Sequence, residues 1–226
     1  FSSLKFQEGE RTVRWNNLFP PDRPLIFFLI YYKCPSICNT QLNSFFKAVN
    51  EYGLLPGKDF ELAVLSFDYK ETPELADKKK NAYLQEFEKA GKKPEFHFLT
   101  GTKENIQTVT DSLRFTYYWN EKENQWVHPT GAYVYSPDGK FYRKVGGAVF
   151  DPKTLYFTLA EIQPKILKNV FDRVKLYFSK YEQVTGDYKI HVDRIFNIVM
   201  PILLIVSGIV IFSKLFRIMR NKKFTP

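Results

Sequence analysis

Two cysteines in 226 residues are too few for a disulfide-rich scaffold or for a four-cysteine zinc site. Internal repeats and low-complexity tracts are missing too. With 44 % apolar and 25 % charged residues, wholesale disorder is excluded. Acidic residues are absent from 195 to 226, where Lys214, Arg217, Arg220, Lys222 and Lys223 stand without a counter-charge. Those five carry more than half of the net charge of +9, and the first 194 residues hold 28 basic against 24 acidic side chains. Scattered charge of that kind makes a solvated surface and not a phosphate-tracking stripe, so nucleic acid is not an expected partner. What is abundant is aromatic: 22 Phe, 14 Tyr and 3 Trp, a load that suits sheets and membrane interfaces.

The stretch 195–213, IFNIVMPILLIVSGIVIFS, has 19 residues and no charge. As a helix it spans about 29 Å, close to the hydrocarbon thickness of a bilayer. A soluble helix of this length keeps a polar face, whereas this one has only Asn197 and two serines. Pro201 near its start is tolerated in a membrane helix. The basic residues that follow place the C-terminus in the cytoplasm and the large domain on the outer, periplasmic side of a cell inner membrane. The expected organisation is a globular domain (1–163), an amphipathic connector (164–194), a transmembrane helix (195–213) and a basic cytoplasmic tail (214–226). An exported domain needs a signal and the polar start FSSLKFQEGE is not one, so the signal is expected to have been removed or to lie outside these residues.

Along the domain, strand and helix patterns alternate. GERTVRW reads as a short strand. PLIFFLIYY (24–32) is a continuous apolar run, as a central strand buried on both faces requires. A helix follows with Leu42, Phe45, Phe46 and Val49 on one face, then a second buried strand, FELAVLSF (60–67). Thr72-Pro73-Glu74 opens a helix that runs to about Ala90: a hydroxyl cap, a first-turn proline, an acid on the dipole. EFHFLTG is a third strand and 103–113 a short helix. GAYVYSPDGKFYRKVGG is a hairpin turning at Pro137-Asp138-Gly139, and 152–163 is the last helix of the domain. This order predicts an α/β fold with a central mixed sheet flanked by helices. Cysteines just after the first buried strand, at a helix N-terminus, point to a thioredoxin-like fold.

Cys34 and Cys38 stand four residues apart. If Cys38 lies one helical turn along, both side chains share a face, within reach of a disulfide or of one metal ion. A helix N-terminus favours the thiolate, which is both nucleophile and metal ligand. Two buried structural cysteines are the plain alternative. Of the three histidines, His128 lies on a loop before the hairpin, His97 lies in a strand as a satisfied core or surface side chain, and His191 sits at the membrane boundary. Two thiolates and one imidazole suit Cu(I), or Cu(II) in a tetragonal site, whereas zinc wants a fourth ligand. Asp68 ends the second core strand on the edge where such folds place functional groups, or else caps a turn.

YYKCPSIC, VLSFDYKETPEL, FHFLTG and VHPTGAYVYSPDGKF resemble, in order and spacing, the blocks of the Sco/SenC family, over roughly residues 9–163. These are membrane-anchored thioredoxin-like proteins implicated in copper delivery to cytochrome c oxidase, and the tail resembles a bacterial subgroup with a C-terminal anchor. The resemblance implies copper as the metal, Cys34, Cys38 and His128 as its ligands, and Asp68 as a supporting acid. The chain departs from the family at Tyr69 and Asn39, where prolines are usual, and at Val127, where an aspartate is frequent. The expected function is a copper chaperone that loads the dinuclear copper centre of cytochrome c oxidase subunit II. A thiol–disulfide oxidoreductase, in which Cys34 attacks and Cys38 resolves, is the alternative, and a non-catalytic accessory subunit of a respiratory complex is another. The expected partners are oxidase subunit II or a respiratory supercomplex, and membrane lipid. The connector, with Tyr177, Phe178, Tyr181 and Tyr188, either docks the domain beside the oxidase or lies on lipid.

Overall fold

The computed structural model describes residues 3–183 and 185–222, with side chains up to residue 217. The chain forms two compact units, Phe1–Lys168 and Asn169–Pro226. The first unit opens with a hairpin of β1 (Lys5–Glu8) and β2 (Arg11–Arg14). There follow β3 (Leu25–Ile30), α1 (Ile37–Glu51), β4 (Glu61–Ser66), α2 (Pro73–Lys89), β5 (His97–Leu99) and α3 (Lys103–Ser112). A small hairpin of β6 (Tyr118–Asn120) and β7 (Gln125–Val127) leads to β8 (Ala132–Tyr135), β9 (Phe141–Val145) and α4 (Pro152–Ile162).

Five strands make the central sheet in the order β5-β4-β3-β8-β9. β3 runs parallel to β4, and β4 to β5, while β8 is antiparallel to both β3 and β9. This is the mixed, helix-flanked sheet that the patterning predicts. Every residue of β3 and β4 is buried, which is why their sequences are near-continuous apolar runs. Successive side chains of β3 serve opposite faces: Phe28 meets Phe45 of α1 edge-on at 5.0 Å, and Phe27 meets Trp15 at 5.2 Å. The start of α2 matches its sequence signal, since Thr72 accepts the capping hydrogen bond, and Thr102 plays the same part for α3.

The β1–β2 and β6–β7 hairpins are not foreseen by the patterning. Strand β1 has only four residues, of which Phe6 and Glu8 point inward. Its backbone bridges to the far end of the sheet, with Gln7 and Thr100 exchanging N–H···O bonds of 2.8 and 2.9 Å. That contact covers an otherwise open sheet edge. Beside it, Glu8 is 4 % exposed and takes Lys80 Nζ at 2.7 Å and His97 Nδ1 at 3.0 Å. The other nitrogen of His97 lies 3.5 Å from Glu61. His97 is thus an ion-paired structural side chain in the first unit.

The second unit comprises α5 (Val170–Tyr177), a hairpin of β10 (Ser179–Glu182) and β11 (Asp187–Ile190), and α6 (Val192–Lys222). Within α6, Val192–Arg217 contains an 18-residue window with a mean hydropathy of 2.7 and no buried residue, and is long and apolar enough to cross a membrane. Helix therefore begins before residue 195 and continues into the basic tail. Of the expected connector, Val170–Tyr177 and a short 3-10 turn at Pro164–Ile166 are helical, and the rest includes a hairpin that pairs Tyr181 with Tyr188. Residues 223–226 of the tail lie outside the described residues.

The charge cluster at the sheet edge makes the first unit pH-sensitive. Burial would lower the His97 pKa, but hydrogen bonds to Glu61 and Glu8 outweigh it and hold the imidazolium up to about 9. Burial would raise Glu8, yet His97 and Lys80 hold it down at about 2. A raised histidine pKa contributes stability that is complete below its ordinary value and lost as pH climbs through the folded value. Denaturant titrations should therefore show a loss on the order of 2 kcal/mol between about pH 6.5 and 9, and His97→Gln should flatten that slope. An equally steep slope in the variant would remove His97 as its origin.

Candidate metal centre

The site is built where β3 stops. Beyond Ile30 the chain turns through Tyr31, Tyr32 and Lys33 before Cys34, and this turn is gripped by one carboxylate. Glu71, 5 % exposed, accepts the backbone N–H of Tyr32 at 2.6 Å and of Lys33 at 2.7 Å. It also accepts the Ser66 hydroxyl at 2.6 Å, at the end of β4. The Tyr32 hydroxyl lies 2.9 Å from the Val64 carbonyl and 2.8 Å from that of Leu99, beneath the same loop. Glu71 is a site residue that sequence reasoning missed. It stands one residue before the Thr72 helix cap, where an acid reads as a solvated helix-start charge, and only the folded chain shows it turned inward.

Both cysteines are buried and neither is in a disulfide. Cys34 precedes α1 instead of lying on it. Its sulfur accepts the Cys38 backbone N–H at 3.3 Å, while the N-cap residue Ser36 makes no side-chain capping bond. The thiol sulfur therefore takes over the cap, and the helix terminus favours its negative form. Hydrogen bonds from the Cys38 thiol, from His128 and from the backbone N–H groups of Cys38 and Ser36 pull Cys34 well below the usual thiol range against burial. Cys38 is pushed the other way, by its bond to Cys34 and by its own burial. The pair shares one proton, with the charge on Cys34.

His128 arrives from the segment between β7 and β8, 90 residues along the chain from Cys38. Its Nε2 lies 3.5 Å from the Cys38 sulfur. On the other side of the ring, Nδ1 is 2.9 Å from the carbonyl of Pro129. A carbonyl can only accept, so Nδ1 carries a proton, and Nε2 is the nitrogen turned toward the Cys38 sulfur. A backbone carbonyl thus does what an aspartate at position 127 would do. The ring is held between Phe67 at 5.0 Å, Phe115 at 5.8 Å and Tyr31 at 6.0 Å.

The structure brings Cys34, Cys38 and His128 together and leaves Asp68 one step removed. Asp68 accepts the Lys70 N–H at 3.0 Å, so it does cap a turn. Its second oxygen takes Trp126 Nε1 at 3.3 Å, two residues before His128, which steadies the strand that presents the imidazole. Asn39 accepts a hydrogen bond from Lys79, and that half-buried ammonium adds positive charge beside the thiols. Tyr69 is 46 % exposed, with Lys70 and Lys103 over its ring. His191 belongs to the second unit, where it lies 3.7 Å from Asp193.

Among the described residues, no three His, Cys, Asp or Glu side chains already form a closed metal cage. The two sulfurs and the imidazole adjoin as hydrogen-bond partners, and a metal would take the place of their shared proton. The donor chemistry fits a soft monovalent ion. Tyr31 is 4 % exposed beside the cysteines, and burial and the neighbouring Cys34 push its pKa up.

A thioredoxin-like sheet whose first crossover starts on a buried cysteine pair faced by a distant histidine defines a thiol protein with metal-ligating capacity. The chain belongs to the SCO1/SenC family, whose model matches residues 10–163. Its fold is similar to that of the copper-bound ScoI of Arabidopsis thaliana, at 23 % identity over 70 % of this chain and 94 % of that one, with a TM-score of 0.55. The copper-bound ScoI of Bradyrhizobium japonicum is 19 % identical over 70 % of this chain and 96 % of that one, with a TM-score of 0.52. Copper-bound yeast Sco1 is 20 % identical over 76 % of this chain and 92 % of that one, again at 0.52. At such identities the likeness establishes the fold. A comparison with curated proteins finds no significant match.

The Glu71 grip is directly testable. Glu71→Gln keeps the shape but loses the charge and one acceptor, leaving a buried donor unsatisfied. It should cost about 2–3 kcal/mol in unfolding free energy and quicken modification of Cys34 by a thiol reagent as the loop loosens. Unchanged stability together with unchanged thiol reactivity would show that the loop is held by other contacts.

Proposed function

We propose that this protein is a membrane-anchored copper chaperone of the Sco type, which receives copper on Cys34, Cys38 and His128 and delivers it to the dinuclear copper centre of cytochrome c oxidase subunit II. The observation that carries this reading is the approach of His128 Nε2 to 3.5 Å from the Cys38 sulfur. A dithiol reductase has no need of that imidazole. Copper bound to the Sco proteins of Arabidopsis, Bradyrhizobium and yeast supports the same metal here. Copper is cargo in this scheme. Two thiolates and one imidazole hold a soft ion with few ligands, which leaves it open to an incoming thiolate from the acceptor and so to transfer by ligand exchange. Binding displaces the proton shared by the cysteines, so acidification should weaken it.

The thiol–disulfide reading is favoured by one observation of its own. Cys34 holds the negative charge and Cys38, fully buried behind it, is positioned to resolve. The Cys34 thiolate would attack an acceptor disulfide and form a mixed disulfide. Deprotonated Cys38 would then close on Cys34, leaving the acceptor with two thiols and this protein with the disulfide.

Titrating the reduced protein with Cu(I) separates the readings. One copper per chain is expected, with binding abolished in the Cys34→Ser, Cys38→Ser double variant. His128→Ala should weaken copper binding at least tenfold while the dithiol still cycles with a disulfide. If that variant binds copper as tightly as the parent, His128 is not a ligand and the reductase reading takes precedence. Full copper stoichiometry without either cysteine would place the metal elsewhere.

The anchor is α6, with the first unit on the periplasmic side and the basic end in the cytoplasm. Protease added to intact spheroplasts should therefore digest the cysteine-bearing unit. Protection of that unit, with digestion only after lysis, would reverse the orientation.

A further inference from the structure

We propose that the second unit also lies on the membrane surface, its helix α5 immersed along one face in the headgroup region of an anionic bilayer. This rests on the reading of α6 as a membrane anchor. Helix α5 has no buried residue. Val170, Phe171, Val174 and Tyr177 are 71, 78, 47 and 56 % exposed, and at 100° per residue they fall in one stripe about 120° wide. Arg173 and Lys175 border the stripe on either side. Their aliphatic stems can cover apolar surface while the charged heads reach lipid phosphates. A Phe and three further apolar side chains left in water on one short helix call for an occupant.

The ties between α5 and α6 say which occupant. The backbone N–H of His191 donates to the Phe178 carbonyl at 2.7 Å, just past the end of α5. Arg194 Nη1 donates to the Tyr177 carbonyl at 2.5 Å, and its guanidinium lies 5.6 Å from the centre of the Tyr177 ring. Ile195, the next residue, begins the uncharged run. A helix that enters the hydrocarbon at Ile195 has Arg194 at headgroup depth. The hydrogen bond and the ring contact then hold Tyr177, and with it the C-terminal end of α5, at that same depth. Tyr and Arg are residue types that favour this layer. The apolar stripe thus continues an interface that the chain already makes, and the occupant it fits is lipid.

The test uses the full chain, purified and reconstituted alone in vesicles of phosphatidylethanolamine and phosphatidylglycerol. A photoreactive p-benzoylphenylalanine replaces Phe171, Ile205 within the span, or the exposed Glu121 of the first unit, in separate variants. Lipid adducts are expected at 205 and at 171, with at least five times more at 171 than at 121. Adding Val170→Ser and Val174→Ser to the 171 variant should lower its adduct several-fold. Labelling at 205 with no excess at 171 would overturn the surface-docking proposal and leave the anchor intact. No labelling at 205 would instead overturn the anchor, and the proposal with it. Protein adducts at 171 in native membranes, with none to lipid in pure vesicles, would assign the face to a protein partner and overturn the proposal equally.

Discussion

The arrangement of this site depends on a buried carboxylate. Glu71 reaches out of the loop that precedes α2 and takes three hydrogen bonds of 2.6 to 2.7 Å, two from the turn leading to Cys34 and one from the end of β4. Removing a carboxylate from water is costly unless its lone pairs are used, and here they are. Once satisfied, the group becomes a rigid fastener, because any movement of the cysteine turn would strand a charge. Charge-assisted bonds of this kind contribute about 1.5–3 kcal/mol each. The position of Cys34 at the mouth of α1 follows from that grip.

From there the local chemistry is coherent. Cys34 caps the helix that carries Cys38, so one backbone N–H both ends the helix properly and steadies the thiolate. The departures from the family pattern are accommodated by neighbours. Pro129 offers a carbonyl to His128 where an adjacent carboxylate is frequent. Asn39, in place of a proline, holds Lys79, which sets a positive charge near the sulfurs. Asp68 acts through Trp126 on the strand before His128, a supporting part that needs no contact with the metal.

Much of the architecture was legible along the chain because its causes are local. Short apolar runs bounded by turn residues suit strands buried on both faces, and β3 and β4 are such strands. Thr72 caps a helix because its hydroxyl takes one of the first free N–H groups, whatever the rest of the fold does. Where local signals were short or mixed, reading failed. β1 has two inward residues in four, too few to show a period. In the 164–194 segment, Ile166, Val170 and Val174 recur at four-residue intervals, and then Gly186, at φ +73°, turns a hairpin that aligns Tyr181 with Tyr188. The same aromatic residues fit either pattern in one dimension.

The long elements, the anchor-like apolar helix and the four-residue spacing of the cysteines are legible along the chain, since periodicity, capping and hydropathy act between neighbours. Tertiary structure decided everything that joins distant residues. The imidazole 90 positions from Cys38 comes to its sulfur only because β8 pairs antiparallel with β3, which returns the β7–β8 segment to the end of the sheet where α1 begins. The inward turn of Glu71 exists only because the ends of β3 and β4 lie side by side in a parallel pair. Distance in space between residues far apart in the chain is set by pairing and packing, and no local pattern carries it.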